Sequence, residues 1–397
     1  MELNKGQEEA LKLAVERYKK GYAYTYIAGA AGTGKSTLVR FIIAALDLNP
    51  NSSEVCYATF TGKAALNLQR KGCTSACTLH SLLYNARQNK STGVYYFSPK
   101  PYGALREHKL IVVDEISMVT QEMWELLLSH KIHILALGDI AQLPAIGTKN
   151  TILDKPHIVL TEIMRQEEDS EIIQIATLAR THQPIPFMKG NNVMVLHKDE
   201  YNDAMLDWAD MTICATNKTR ARLNTRARER IWGDGTIEPQ AGDRIVCLHN
   251  EWDKVTDLGD ALVNGMVGTL VDDMVTYDLP PRIRRYSQKM GMINFLPDFR
   301  EDEPKLGTFR NLFIDYKLLT EGVPTVTDKN FREFRNVTHL IPFDYGYAMS
   351  CHKCQGSEYN KVLVIEEGFP YSEEEHWQWL YTAATRAVDK LVIVRNF

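Results

Sequence analysis

Apolar residues follow two different spacings along this chain, and the change from one to the other predicts its secondary structure. Residues 5–20 carry apolar side chains at helical spacing, which indicates an amphipathic helix. Beyond it, short β-prone runs alternate with helical segments. The predicted strands are 24–27, 55–60, 110–114 and 132–139, and the predicted helices between them are 37–46 and 62–69. Strands that alternate with helices favour a doubly wound parallel sheet.

A second block of alternating strands and helices is predicted to start near residue 160. Its elements are strand 212–215, helix 218–231, strand 362–365, helix 377–386 and strand 391–394. Glycines, prolines and short β-prone runs from 241 to 340 predict a small β-rich domain inserted into this block. The polar and aromatic residues 84–108, which also contain glycine and proline, predict a hairpin insertion in the first block.

The predicted fold class is therefore α/β, with two doubly wound parallel-sheet domains that each carry one insertion. The predicted boundaries are 1–83 and 109–160 for the first domain, 84–108 for its hairpin, 161–240 and 341–397 for the second domain, and 241–340 for the β-rich insertion. With 397 residues, 44% of them hydrophobic, the chain is long enough to bury cores of this number.

Composition narrows the class of protein further. A formal net charge of −4 does not indicate a polyanion partner, although a basic channel can coexist with an acidic exterior. Seven cysteines, an odd number, are expected to be reduced thiols rather than a disulfide framework. The first residues are polar and no apolar run reaches the roughly 18 residues of a membrane span, so we expect a soluble cytoplasmic protein without a membrane partner.

Residues 29–36, Gly-Ala-Ala-Gly-Thr-Gly-Lys-Ser, fit the GxxxxGK[ST] pattern of a phosphate-binding loop. Glycine lets backbone N–H groups converge on a phosphate where a Cβ would intrude. Lys35 is expected to reach the β- and γ-phosphates, and the Ser36 hydroxyl to bind Mg²⁺. The predicted nucleotide contacts in this segment are Gly29, Ala30, Ala31, Gly32, Thr33, Gly34, Lys35, Ser36 and Thr37.

An acidic pair follows the predicted strand 110–114. An apolar run that ends in acids is typical of a buried parallel strand whose carboxyl end faces a ligand. Asp114 is expected to hold Mg²⁺, directly or through water, and Glu115 to position and deprotonate a water molecule. The pair therefore predicts hydrolysis of the nucleotide rather than transfer of its phosphate.

Five further segments complete a recognisable order of motifs. They are Leu3-Asn-Lys-Gly-Gln7, Gly138-Asp-Ile-Ala-Gln142-Leu-Pro, Leu160-Thr-Glu-Ile-Met-Arg165, Ser350-Cys-His-Lys-Cys-Gln-Gly-Ser-Glu358 and Tyr381-Thr-Ala-Ala-Thr-Arg386. With the phosphate loop and the acidic pair, they make the chain resemble the superfamily 1B DNA helicases of the RecD-like group, and most closely the compact phage helicases of the Dda type. The resemblance covers most of the chain and is weakest in 84–108 and 250–340.

The resemblance implies a role for each of these segments at the nucleotide. Gln7 is implied to read adenine, and Gln142 to sense the γ-phosphate. Arg165 and Arg386 are implied to act on that phosphate as arginine fingers. In the segment 350–358, Gln355 and Gly356 are implied to face the nucleotide, and Glu358 to hold its ribose. The catalytic residues implied are Lys35, Asp114, Glu115, Gln142, Arg165 and Arg386.

DNA contacts are implied in the same way. In the first domain they are Phe60, which stands where the family usually has proline, Thr61, Lys63, His80 and Phe97. In the second domain they are Asn217, Arg220, Ser350, His352 and Lys353. Phe97 is the predicted wedge of a β-hairpin pin that splits the duplex, by stacking on the last base pair. Arg222, Arg226 and Arg228 follow Arg220 on its helix, as further contacts or as a solvated face.

The implied function is an ATP-dependent helicase that moves 5′ to 3′ on single-stranded DNA and unwinds forked duplexes with ATP and Mg²⁺. The domains would then be RecA-like and the β-rich insertion SH3-like. The chain would act as a monomer in a bacterial or host cytoplasm, with replication or single-strand-binding proteins as candidate partners. Three alternatives stay open: a translocase that displaces bound proteins without unwinding, a zinc-stabilised binding module using Cys73, Cys77, His80, Cys351 and Cys354, and a small-molecule kinase.

Overall fold

The structure is a computed structural model of the chain. It describes residues 3–60, 62–70, 72–88, 95–144, 152, 155–164, 170–279, 289–322, 340–368 and 372–395, and within these the side chains of residues 63, 66, 67, 70, 86–88, 95–97 and 252 are not described. Two compact units are present. Unit 1 comprises Met1–Asn85, Phe97–Asp199 and Cys354–Phe397, and unit 2 comprises Ala86–Tyr96 and Glu200–Lys353.

The elements of the first 160 residues alternate as predicted. They are α1 (Lys5–Lys19), β1 (Tyr24–Gly29), α2 (Lys35–Ala45), β2 (Val55–Thr59), α3 (Gly62–Arg70), β3 (Ala76–Thr78), α4 (Leu79–Leu83), β4 (Tyr84–Gln88), β5 (Tyr95–Pro99), β6 (Leu110–Val113), α5 (Gln121–Ser129), β7 (His133–Gly138) and β8 (Ile158–Leu160). A capping box starts α1, in which Asn4 and Gln7 satisfy each other's backbone N–H groups.

Six of these strands form a sheet in the order β3-β2-β6-β7-β1-β8. Its neighbouring strands are all parallel, which confirms the predicted doubly wound arrangement. All four residues of β6 are buried, as expected of a central parallel strand. Ile27 packs with α1 and α2 on one face, whereas Tyr26 and Ala28 pack with α5 on the other. The carboxyl ends of β1, β6 and β7 therefore meet at one edge of the sheet.

The hairpin insertion is present as two paired strands, since β4 and β5 form a two-stranded sheet. Residues 89–94, which connect them, lie outside the described residues. The rest of unit 1 contains α6 (Glu171–Arg180), β9 (Met188–Lys189) and β10 (Val193–His197).

Unit 2 begins with α7 (Ala204–Trp208), β11 (Met211–Cys214) and α8 (Asn217–Trp232). Its β-rich part contains β12 (Arg244–Cys247), β13 (Glu251–Val255), β14 (Ala261–Leu262), β15 (Val267–Leu270), β16 (Val275–Asp278), β17 (Lys289–Pro297), α9 (Pro304–Gly307), β18 (Phe309–Ile314), α10 (Tyr316–Glu321) and β19 (Phe343–Tyr345). Strands β16, β17, β15, β12 and β19 lie side by side in that order, and β18 pairs with β17. Neighbouring strands of this sheet run antiparallel.

The last elements are β20 (Ala348–Ser350) and α11 (Cys351–Cys354), then β21 (Tyr359–Ile365), α12 (Glu373–Ala384) and β22 (Ala387–Arg395). In unit 2, β20 runs parallel to β11. In unit 1, β22 is parallel to both β21 and β10, and α6 packs against α12. Helix α12 starts four residues earlier than predicted because Ser372 and Glu375 form a capping box, and it ends before Arg386. The predicted domain boundaries stay a prediction.

Candidate functional site

The phosphate loop connects β1 to α2 and has the backbone that its glycines allow. Gly32 and Gly34 have φ angles of +77° and +74°, in the left-handed region. A Cβ on Gly34 would lie 2.6 Å from Nε2 of Gln7, so only glycine fits there. Gly34 is also the residue before α2, and no side chain caps that helix start. The first N–H groups of α2 are thus available for an anion.

Lys35 folds back over the loop that precedes it. Its ammonium group donates to the carbonyl oxygens of Gly29 at 2.6 Å and of Ala30 at 3.0 Å. Ser36 is exposed and Thr37 is half-buried in the first turn of the same helix. Lys35 is therefore held among the loop residues, where a phosphate group would be its other partner.

Gln7 is fully buried beside the loop. Its Nε2 donates to the carbonyl of Thr33 at 3.0 Å and contacts Sδ of Met164 at 3.2 Å, while its Oε1 accepts from the N–H of Asn4. The structure thus places Gln7 at the phosphate loop, and its reading of adenine stays a prediction. Arg165, which follows Met164, lies outside the described residues.

Asp114 and Glu115 follow β6 at the same edge of the sheet. Oδ1 of Asp114 accepts from the N–H of Glu115 at 2.8 Å, and Glu115 has a left-handed backbone with φ of +53°. Burial raises the pKa of both carboxyl groups. The charge of Lys35 lowers the pKa of Asp114, whereas the negative charge of Glu358 raises it. The pair therefore has the electrostatic environment of a functional carboxylate site.

Arg386 lies close enough to Glu115 to act on it electrostatically, since its charge lowers the pKa of that carboxyl. Its guanidinium is buried and donates to the carbonyls of Thr382 at 3.1 Å and Ser357 at 3.3 Å. A third contact, at 3.2 Å, joins it to Oγ1 of Thr385. The structure thus brings the predicted arginine finger Arg386 to the acidic pair.

The predicted sensor Gln142 lies in a turn after β7. Its side chain is buried, and among the described residues its Oε1 has no hydrogen-bond partner. Leaving such an acceptor unpaired is costly, so it points to a donor partner such as a water molecule. The turn, residues 139–143, is closed by the Gln142 N–H, which donates to the carbonyl of Asp139 at 3.2 Å.

Two residues that sequence reasoning missed hold this turn. The hydroxyl of Tyr381 donates to Oδ2 of Asp139 and accepts from the N–H of Ala31 at 2.9 Å. Oγ1 of Thr382 accepts from the N–H of Leu143 at 2.9 Å. Both residues lie within the segment that predicted Arg386, but nothing in the sequence pairs them with positions about 240 residues earlier.

The segment after α11 adds the other predicted nucleotide residues. Nε2 of Gln355 donates to the carbonyl of Leu143 at 2.7 Å, so Gln355 belongs to the same network. Gly356 has φ of +71°, and Glu358 is exposed. The side chain of Gln355 is thus hydrogen-bonded to the 139–143 turn. The ribose contact of Glu358 stays a prediction.

A cavity of about 250 Å³ adjoins the beginning of the loop. Its walls include Gly29, Ala30, Asp139, Arg180 and Trp377. This volume is below the roughly 300–1,000 Å³ of ordinary ligand pockets, so we do not assign the nucleotide to it.

The DNA contacts predicted in unit 1 are only partly described. The Phe60 ring is half-buried and meets the exposed His80 ring edge-on, with ring centres 5.8 Å apart. Thr61 lies outside the described residues, as do the side chains of Lys63 and Phe97. The structure thus joins Phe60 to His80 and leaves the other contacts as predictions.

In unit 2, the predicted contacts cluster at the ends of two parallel strands. Asn217 is exposed at the start of α8, and Ser350 is the last residue of β20. His352 is half-buried, which lowers its pKa, and Lys353 is exposed. Arg220 forms an ion pair with Asp344.

The other arginines of α8 were expected to be DNA contacts or a solvated face. Arg228 is neither, because it is buried and bonded to the carboxylate of Asp243 at 3.0–3.2 Å. Arg226 donates to Asp203 at 3.2 Å. The sequence could not reveal these partners because they come from other elements.

The zinc alternative finds no support in the described part of the chain. No group of three or more His, Cys, Asp or Glu side chains there is placed to hold a metal ion. None of the seven cysteines, all of which lie among the described residues, forms a disulfide. Over the same residues, no helix combines the length and the apolar character needed to cross a membrane.

The parallel sheet, the phosphate loop at its edge and the adjacent acidic pair define a P-loop nucleotide-binding protein with a RecA-like core. Comparison with known families agrees. Residues 2–194 match the AAA domain model, and residues 345–394 match the UvrD-like helicase C-terminal domain model.

Comparison with curated proteins narrows the class of P-loop protein that this chain resembles. The chain is 29% identical over 191 residues to the ATP-dependent DNA helicase dda of Enterobacteria phage T4, covering 45% of this chain and 43% of that protein. It is 27% identical over 401 residues to the ATP-dependent RecD2 DNA helicase of Deinococcus radiodurans, covering 93% of this chain and 46% of that protein. The chain thus spans less than half of the length of these relatives. The chain is thus similar to DNA helicases of the Dda, RecD2 and Pif1 kinds.

Solved structures support the fold over the whole chain. The Pif1 helicase of Candida albicans aligns with a TM-score of 0.51 at 21% identity, covering 100% of this chain and 94% of that one. The Bacteroides Pif1 helicase in complex with ADP-AlF3 and ssDNA aligns with a TM-score of 0.55 at 16% identity, covering 99% and 92%. The predicted class of two RecA-like domains is confirmed.

Proposed function

We propose that this protein is an ATP-dependent DNA helicase that moves 5′ to 3′ on single-stranded DNA and unwinds duplex DNA. One observation carries the proposal: the phosphate loop, the acidic pair, Gln142 and Arg386 converge within one compact unit. The relatives named as DNA helicases, and the Pif1 structure bound to single-stranded DNA, supply the substrate class.

The chain's own residues fit Mg²⁺ and ATP. The glycine backbone of the loop suits a bound phosphate, and the unpartnered Oε1 of Gln142 would accept a hydrogen bond from a water molecule. The loop and Lys35 would bind the phosphates, and Ser36 and Asp114 would hold Mg²⁺, which when bound neutralises phosphate charge. Glu115 would take the proton of the attacking water, while Arg386 would stabilise negative charge on the γ-phosphate.

DNA would contact the two units at the residues predicted for each. In unit 1 these are Phe60, Thr61, Lys63, His80 and Phe97. In unit 2 they are Asn217, Arg220, Ser350, His352 and Lys353. Hydroxyl, imidazole and ammonium groups suit phosphate, whereas the aromatic rings suit bases. We also propose that the protein acts as a monomer in the cytoplasm, in replication, repair or recombination, with single-strand-binding proteins as candidate partners.

Strand separation on two otherwise equal partial duplexes tests the proposal, one with a 5′ tail and one with a 3′ tail. ATP and Mg²⁺ are supplied, and a Lys35→Ala protein is the blank. Unwinding from the 5′ tail alone is the expected result. Unwinding from the 3′ tail alone would keep the motor and refute its direction.

A translocase that displaces bound proteins without unwinding is the second candidate, because it would use the same nucleotide site. The hairpin of β4 and β5 is the feature that favours unwinding over this alternative. ATP hydrolysis stimulated by single-stranded DNA, without strand separation from either tail, would select the translocase.

A further inference from the structure

The 139–143 turn is fixed at both of its ends by side chains that come from far along the chain. At one end, Tyr381 donates its hydroxyl proton to the carboxylate of Asp139. At the other end, the N–H of Leu143 donates to Thr382 at 2.9 Å, and its carbonyl accepts from Gln355 at 2.7 Å. Gln142 lies between these two anchors.

We infer that Tyr381 and Thr382 are positioning residues for nucleotide hydrolysis, which hold the 139–143 turn so that the buried Oε1 of Gln142 can accept a hydrogen bond from the water that attacks the phosphate. The inference rests on the proposed function. It adds two residues that act through the turn to those that touch the nucleotide.

Gln142 gives the reason for fixing the turn so tightly. Its Oε1 is buried without a partner among the described residues, so its hydrogen-bonding capacity is unused in the protein itself. A side chain can serve a reacting group only if it is held within a fraction of an ångström of the required position. Two backbone hydrogen bonds at Leu143, the residue next to Gln142, limit the movement of that side chain.

Tyr381 extends the connection to the phosphate loop. Its hydroxyl also accepts from the N–H of Ala31 at 2.9 Å, so one oxygen joins the loop to the turn. The side chain is 1% exposed. Burial and the neighbouring Asp139 raise the pKa of Tyr381, so its single proton stays available for Asp139. A movement of the phosphate loop would therefore displace the 139–143 turn through this hydroxyl group.

Thr382 is suited to a test because both of its side-chain hydrogen bonds depend on one oxygen, Oγ1. Oγ1 donates to the carbonyl of Gln378 at 2.7 Å and accepts from Leu143, and the residue is fully buried. Valine has nearly the same shape but lacks the hydroxyl, whereas serine keeps it and loses only a methyl group.

The experiment compares Tyr381→Phe, Thr382→Val and Thr382→Ser with the wild-type chain. It measures kcat for ATP hydrolysis with saturating single-stranded DNA, the Kd of a fluorescent ATP analogue, and Tm. Tyr345→Phe is the matched control, because that buried hydroxyl has no hydrogen-bond partner among the described residues. We expect kcat to fall roughly tenfold in Tyr381→Phe and Thr382→Val, the scale of one lost buried hydrogen bond to a charged or backbone partner.

The Kd of the analogue is expected to stay within about twofold in Thr382→Val, because the hydrogen bonds lost there involve neither the nucleotide nor the phosphate loop. Thr382→Ser should recover most of the wild-type kcat, and Tyr345→Phe should match the wild type. Unchanged kcat in both Tyr381→Phe and Thr382→Val would overturn the inference. An equal loss in Thr382→Val and Thr382→Ser, tracking Tm, would also overturn it. A wild-type chain without ATP hydrolysis would refute the proposed function, and the inference with it.

Discussion

The charge of Arg386 acts on the carboxyl group of Glu115, which follows β6 at the edge of the first sheet. Burial raises the pKa of the Glu115 carboxyl, and the charge of Arg386 is the largest effect that lowers it. Arg386 is itself fixed by the carbonyls of Thr382 and Ser357. A carboxylate that can act as a base therefore lies within electrostatic reach of a cation, which suits hydrolysis of a nucleotide.

Replacing Glu115 with glutamine should stop hydrolysis while the nucleotide still binds. The substitution keeps the shape of the side chain and removes the base, so we expect kcat to fall by roughly 10²–10⁴-fold. The Kd of an ATP analogue should change by less than about threefold, since the loop and Lys35 supply most of the binding. Glu122→Gln, at an exposed position of α5, is the matched control. A kcat of Glu115→Gln close to that of Glu122→Gln would show that Glu115 is not the base.

The pH dependence of kcat/KM for ATP should reflect the partly buried acidic pair. Because burial raises the pKa of Glu115, its carboxylate takes up a proton at a higher pH than an ordinary glutamate with a pKa of 4.5. The base form is then lost as the pH falls through the raised pKa, so kcat/KM should decline at pH values where a solvated glutamate is still ionised. A profile of kcat/KM for ATP, measured with saturating DNA, checks this because it reports the nucleotide-free protein. An acid limb at the ordinary glutamate value would contradict it.

The sequence predicted elements better than it predicted partners. The run Leu110–Val113 could be assigned to a buried strand because apolar residues fill all four positions. The arginines of α8 could not be assigned, because the helix spacing does not show what each one meets. Arg228 pairs with Asp243, which follows the helix, and Arg220 pairs with Asp344, 124 residues away. Tyr381 and Asp139 are 242 residues apart. Contacts of this kind depend on the folded topology, which a local pattern does not specify.

Asp243 should be the most sensitive position for the stability of unit 2. Its fully buried carboxylate accepts from Arg228, Trp232 and Tyr347 at 2.8–3.2 Å. Asp243→Asn would leave the guanidinium of Arg228 buried without its counter-charge, which typically costs about 3–5 kcal/mol. The free energy of unfolding in urea measures this loss, with the exposed Asp234→Asn as the control. A loss below about 1 kcal/mol would mean that the network relaxes.

Lys353 provides a test of the DNA contacts in unit 2. Each phosphate contact on a single strand contributes roughly 0.7 to the slope of log Kobs against log salt. We expect Lys353→Ala to weaken binding of single-stranded DNA for every sequence and to reduce that slope by about 0.7. Lys12→Ala, an exposed lysine of α1, should leave both unchanged. An unaltered slope in Lys353→Ala would show that this lysine does not contact a phosphate of the DNA.

Phe97 is the predicted wedge, and its removal should slow strand separation without slowing ATP hydrolysis. The residue belongs to β5 of the hairpin, and an aromatic ring stacked on a base is worth about 1–3 kcal/mol. Phe97→Ala should therefore keep its DNA-stimulated kcat within about twofold and unwind a 5′-tailed duplex roughly tenfold more slowly. Phe187→Ala, an exposed phenylalanine outside the hairpin, controls for the loss of an aromatic surface. Single-turnover unwinding and ATP hydrolysis are measured on the same preparations. Full-rate unwinding by Phe97→Ala would show that Phe97 is not the wedge. A parallel loss of unwinding and ATP hydrolysis would show that Phe97 stabilises the hairpin rather than acting at the fork.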